Sequence, residues 1–166
     1  MKKKFGVIWV ILLVVLDQIT KYVAQSYLVA NGPVDVIKNV FQFHYLENTG
    51  IAFGLFKEKF AFFVVTTIII LAVIGYIYYK MPDTKRYRPL QFCLIFIAAG
   101  AVGNMIDRIV NNYVIDFLYF KLIDFPIFNV ADCYVTCAVA VLFVLLLFVY
   151  KDEELTFIQK GNKKER

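Results

Sequence analysis

NMIDRIVNNYVIDFLYFKLIDFPIFNVAD, residues 104–132, decides how the rest of the chain is read. It joins two apolar runs, 90–106 and 133–150, yet it carries Asp107, Arg108, Asp116, Asp124 and Asp132 inside or beside segments whose composition belongs in lipid. An unpaired charge at bilayer mid-depth costs roughly 3 kcal/mol or more, so each of these groups needs a partner or a task. Asp116 in VIDF and Asp132 in FNVAD stand out, because each is flanked by apolar residues and each is expected near one end of a spanning helix. Brought together, two such carboxyl groups would share one proton.

The composition on either side supports a membrane setting. Of 166 residues, 61% are hydrophobic and only 19% charged, and the mean hydropathy is +0.68, far from the soluble mixture. Four apolar runs give expected spans at about 5–28, 60–79, 90–108 and 131–150, since roughly 20 residues at 1.5 Å rise match the hydrocarbon core. Only the second run, in 60–79, reaches that length without admitting an aspartate; it reads as scaffold. The others place Asp17, Asp107 and Asp132 near an interface. The fold expected is therefore an all-α membrane core of four transmembrane helices forming one integral membrane domain, 1–166. A small extracytoplasmic β-rich platform is added by residues 34–57, where Phe41, Phe43 and Tyr45 alternate with Gln42 and His44.

Basic residues set the orientation. Lys2, Lys3 and Lys4 precede the first run, Lys80, Lys85, Arg86 and Arg88 fill the second link, and Lys151 to Arg166 follow the fourth, which predicts both termini on the cytoplasmic side. The formal net charge of +5 is accounted for by this bias and gives no support to nucleic-acid binding. A Lys-led start also suits a secretory signal peptide, but no A-x-A-like site follows Leu16 and the DQITK pattern continues the helix.

Other residue types narrow the chemistry. Cys93, Cys133 and Cys137 fall in expected helices and read as small apolar packing groups. With His44 the only histidine, no metal-ligand set is offered, no cofactor is expected, and no serine or cysteine has a histidine at plausible spacing. Asp17 and Lys21, spaced i,i+4, make either a surface pair or one that faces the bundle. Asn104 and Arg108 share a helix face, with Asp107 expected to pair with Arg108 or the interface. Ala98, Ala99, Gly100, Ala101 and Gly103 permit close helix approach. Asn48, beside Thr49-Gly50, is suited to holding an extended peptide.

In order along the chain stand DQITK at 17–21, ENTGIAF at 47–53, GNMIDR at 103–108, VIDF at 114–117 and FNVAD at 128–132. This ordered set resembles the bacterial lipoprotein signal peptidase family (signal peptidase II), membrane aspartyl peptidases, over all but the tail after Lys151. The resemblance implies a catalytic pair at Asp116 and Asp132, site-lining Asn48, Asn104, Arg108 and Asn129, and a supporting polar pair at Asp17 and Lys21. It implies endopeptidase cleavage of the signal peptide from diacylglyceryl-modified prolipoproteins just before the lipid-modified cysteine. It further implies a multi-pass protein of the bacterial cytoplasmic membrane with its site toward the outer face, in contact with membrane lipid, inhibited by cyclic peptide antibiotics of the globomycin type. A monomer is expected. Cys133 stands where the family often has serine, which removes a supporting hydroxyl and leaves the pair itself intact.

The residues alone leave three readings open. Two carboxyl groups sharing a proton can hydrolyse a peptide bond, one activating water and the other polarising the carbonyl. Intramembrane aspartates with an arginine also mark an ion path, which would spread acidic groups through the bilayer depth. A purely structural membrane protein leaves VIDF and FNVAD without a purpose.

Overall fold

A computed structural model describes residues 3–50 and 60–158. Residues 51–57 of the expected platform, including the IAF of ENTGIAF, lie outside the described residues, as do Lys2, Lys57, Lys59 and the basic tail after Ile158. Among the described residues, four helices are long and apolar enough to cross a membrane: Phe5–Asn31, Ala61–Lys80, Lys85–Asn111 and Val130–Val149. Their outward faces carry Leu12, Val15, Ile68, Ile69, Phe143 and Phe148, all exposed. In water such faces would drive aggregation; in lipid they are the solvated surface.

Helix α1, Lys4–Asn31, stops where Gly32 takes φ +76° and donates its N–H to Leu28 O at 2.9 Å. A side chain is disfavoured in that left-handed turn. The chain then forms β1, Val34–Ile37, and β2, Phe41–Asn48. Helix α2 is Phe60–Lys80, and α3, Arg88–Asn111, opens with Pro89 in its first turn, where a missing N–H costs nothing. Asn112, at φ +64°, ends α3 and turns the chain into β3, Val114–Tyr119. Helix α4, Val130–Val144, runs into a π-turn at Leu145–Val149, and a short α5 covers Asp152–Leu155.

The three strands form one antiparallel sheet in the order β1-β2-β3. It differs from expectation in its third strand: Asp116, expected near a helix end, lies on β3. The reason is local: Asn112 breaks α3 early enough for the β-branched and aromatic VIDFLY to pair with β2, Leu46 opposite Asp116 and Asn48 opposite Val114. A shift in register between Phe43 and Leu46 marks a bulge in the β2 pairing. The free edge of β3 is held by Phe128, whose carbonyl accepts from Phe117 N at 3.0 Å.

Helix α3 is the helix most enclosed by the others, and small residues let them in. A Cβ on Gly100 would strike the carbonyl of Ala131 in α4, and one on Gly103 would lie 2.5 Å from Asp17 Oδ2 in α1. The start of α4 and the polar turn of α1 therefore meet α3 at backbone distance. At the opposite end of the bundle Met81, Leu90, Leu94 and Tyr150 form an apolar cluster, beside which Arg86 pairs with Glu154 at 2.8 Å.

Candidate active site

Asn129 caps the start of α4 and anchors the site. Its side chain accepts from Asp132 N at 3.0 Å, while its own N–H donates to Asp132 Oδ2 at 3.1 Å, a reciprocal cap that fixes Asp132 in the first helical turn. Because that carbonyl oxygen must receive a backbone N–H, the amide nitrogen is turned the other way. It donates to Asp116 Oδ1 at 2.6 Å and to Asn104 Oδ1 at 3.1 Å. One buried asparagine thus holds the carboxyl groups of Asp116, from the sheet, and Asp132, from a helix.

The second oxygens are held as specifically. Asn48 Nδ2 donates to Asp116 Oδ2 at 2.7 Å, and Asn48 Oδ1 accepts from Gly50 N at 2.9 Å, which fixes the amide's direction. Asn104 Nδ2 donates to Asp132 Oδ1 at 2.8 Å. Its direction is set by Lys21, an obligate donor, whose Nζ lies 2.9 Å from Asn104 Oδ1. Asp17 and Lys21 face the bundle: Nζ is 2.9 Å from Asp17 Oδ2 and 2.8 Å from Asp107 Oδ2, so its three hydrogens meet three acceptors. Asp17, Lys21, Asp107, Asp116 and Asn129 are all 0–1% exposed, and Asp132 is half-buried.

Two expectations are corrected by these contacts. Asp107 pairs with Lys21 and not with Arg108, because it faces α1 from α3. Arg108 donates Nη1 to Asn104 O at 3.1 Å and stacks its guanidinium 5.1 Å from the ring centroid of Phe63. This brings α2, read as plain scaffold, into contact with a site residue. Among the described residues Arg108 has no carboxylate within ion-pair distance, so its charge acts on Asp116 and Asp132 through space.

Burial pushes the Asp116 carboxyl up to about 6, and the nearby Asp132 adds to the rise against the hydrogen bonds from Asn48 and Asn129. A carboxyl group with that value changes protonation in the range where a shared proton is useful.

A family profile described as signal peptidase (SPase) II matches residues 9–148. The chain belongs to that family. Lipoprotein signal peptidases from Caldanaerobacter subterraneus subsp. tengcongensis, Clostridium tetani and Streptococcus pyogenes serotype M1 are 41%, 38% and 39% identical to it. They cover 86%, 89% and 93% of this chain and 96%, 93% and 98% of their own lengths. Two solved bacterial membrane enzymes obtained by the in meso method, at 1.9 and 2.3 Å, are similar in fold, with TM-scores of 0.75 and 0.72 at 30% and 29% identity. They cover 89% and 98% of this chain and 95% of each of those chains. As a family member the chain is an enzyme, a multi-pass bacterial membrane peptidase that removes signal peptides.

The structure brings the eight residues singled out in the sequence (Asp17, Lys21, Asn48, Asn104, Arg108, Asp116, Asn129 and Asp132) into one polar network. Sequence reasoning passed over the partnership of Asp107, the role of Gln18 and the contact of Phe63. Gln18 lies within DQITK and follows Asp17 directly, and a polar residue there was the available signal. Phe63 gave none, being one of several aromatics in a helix with no charge before Lys80. Of the remaining candidates, His44 packs edge-on against Tyr119, Cys93 is buried in α3 and Cys137 is exposed on α4, and Asp124 accepts from Tyr119 Oη at 2.5 Å on the exposed loop after β3.

Proposed function

We propose that Asp116 and Asp132 are the catalytic dyad of an aspartyl endopeptidase that cuts diacylglyceryl-modified prolipoproteins just before the lipid-modified cysteine. The observation that carries this reading is Asn129, which bridges both carboxyl groups. The pair holds one proton between them. Burial and the neighbouring Asp132 push Asp116 up to about 6, and the proton belongs to the pair, one partner ionised and the other protonated.

The ionised partner takes a proton from the attacking water as its oxygen bonds to the scissile carbonyl carbon. The protonated partner donates to the carbonyl oxygen, so the charge that would build there is neutralised. Collapse of the tetrahedral intermediate breaks the C–N bond as the proton taken from water passes to the leaving amine and one hydroxyl of the intermediate returns its proton to the carboxylate that had donated. The product acid and a neutral amine result, and the pair again holds one proton. Asn48, Asn104 and Asn129 keep the oxygens in place, and Arg108 supplies fixed positive charge without titrating.

The site's location is consistent with the substrate that family membership suggests. A dyad at the end of a bundle, beside a sheet, meets a spanning signal peptide whose cleavage point lies at the membrane surface and whose acyl chains remain in lipid. The distribution of Lys and Arg supports cytoplasmic termini and a site toward the outer face of the cytoplasmic membrane. In this reading the enzyme works as a monomer, and a cyclic peptide of the globomycin type competes with substrate for the dyad.

The test is the pH dependence of kcat/KM for a purified diacylglyceryl-modified prolipoprotein. Activity requires one proton on the pair, so the rate rises with pH as the first proton leaves. It falls as pH increases through the pair's upper apparent value, which the raised Asp116 carboxyl, near 6, helps to set. A profile flat from pH 4 to pH 9 would remove the reading.

A further inference from the structure

We propose that Asp107 is a positioning residue, the counterpart of Asp17 in a bracket centred on Lys21 that fixes the separation of Asp116 and Asp132; this rests on the dyad reading above. Asp17 Oδ1 accepts from Ala131 N at 2.9 Å, the residue immediately before Asp132. Asp107 Oδ2 accepts from Ile115 N at 3.1 Å, the residue immediately before Asp116. Both acids are then tied to the same ammonium, at 2.9 and 2.8 Å. Gln18 Nε2 spans them as well, donating to Asp107 Oδ1 at 2.9 Å and reaching Asp17 Oδ2 at 3.3 Å.

Each bond answers a local need. Ala131 N is among the helix-start donors of α4 that lack an intrahelical acceptor, and Asp17 satisfies it from another helix. Ile115 N lies in an edge strand, and Asp107 holds that edge on one side of Asp116 while Phe128 O holds Phe117 N on the other. Gly103 completes the arrangement, because a Cβ there would overlap the Asp17 carboxylate. Buried ions need partners whatever their task. That need does not explain why both backbone donors chosen adjoin dyad aspartates, one on a strand and one on a helix brought together only here.

Electrostatics supplies a readout that packing alone would not move. Among the described residues, the charged groups around the dyad are Asp17 and Lys21 from α1 and Asp107 and Arg108 from α3, with Cys133 and Tyr134 of α4 as neutral titratable neighbours. Asp107→Asn keeps shape and an oxygen for Ile115 N but removes one negative charge and one arm of the bracket. Removing the charge lowers the pair's upper apparent value. Loosening the spacing weakens the coupling that raises it, so both changes act in the same direction.

The experiment measures kcat, KM and pH profiles on folded, monodisperse Asp107→Asn with a diacylglyceryl-modified prolipoprotein. The expected result is a kcat lower by roughly 10- to 100-fold, KM unchanged, and the basic limb moved to lower pH. Folded Asp107→Asn with parental kcat and an unmoved basic limb would overturn the bracket. If that variant fails to accumulate, Gln18→Leu keeps both acids and Lys21 while removing the shared donor. It must lower kcat at constant KM, and parental kcat there overturns the proposal equally. Activity surviving in Asp116→Asn or Asp132→Asn would instead sink the dyad reading, so the two failures are told apart.

Discussion

Both amide hydrogens of Asn129 are committed, one to Asp116 and one to Asn104, while its oxygen caps α4. Helix capping and dyad assembly therefore meet in one side chain, and they can be separated. Serine caps a helix about as well as asparagine but has no amide to reach Asp116. Asn129→Ser should keep a near-parental thermal midpoint in detergent while its cleavage rate falls roughly 10- to 100-fold. Parental cleavage by the folded variant would show that the bridge is not needed. The identity of the polar residues was legible in the sequence because a charged or amide group in an apolar run has few reasons to be there. Their pairing was not. Lys21 reaches Asp107 and Asn104 across 86 and 83 positions of sequence, and no spacing rule encodes which of several nearby acids a lysine meets when helices pack.

Elements divide by how much of their reason is local. The spans follow from apolar length, and α3 begins and ends where Pro89 and Asn112 place it. β3 is different: VIDFLY is a short apolar run next to a helix, and periodicity does not distinguish a strand from a continued helix over so few residues. Its partner β2 decides the matter, and the correction moves Asp116 from a helix end to a sheet. Close packing of α3 on α4 brings that sheet to Asp132. Gly100→Ala should lower stability by about 1–3 kcal/mol, because the new Cβ meets the Ala131 carbonyl, which is backbone and cannot rotate away. Gly75→Ala is the control, since among the described residues its Cβ meets nothing within 4 Å beyond its own stretch of helix, and it should be neutral or stabilising by about 1 kcal/mol at most. Thermal unfolding in detergent reads both. Equal effects would mean that the α3–α4 approach is not limited by Gly100.

At the scale of the molecule, four apolar helices carry a polar network at one end, where the sheet covers it, and an apolar and aromatic cluster at the other. Cytoplasmic termini predict that a cysteine replacing Lys38, on the sheet side, reacts with a membrane-impermeant thiol reagent on intact cells lacking native thiols, while one replacing Lys85 does not. Reaction at 85 alone would invert the topology. The claim on which everything else depends is that Asp116 and Asp132 carry the chemistry. Its most direct test is the initial rate of cleavage of a diacylglyceryl-modified prolipoprotein by purified, folded Asp116→Asn, Asp132→Asn and Asp124→Asn. Asparagine preserves shape but neither accepts the water's proton nor supplies one. The first two should fall by at least roughly 100-fold, the low end for losing a general acid or base, and Asp124→Asn, altered on the exposed loop, should stay near the parental rate. More than about a tenth of that rate in either dyad variant, a loss well short of the same 100-fold, would contradict the account.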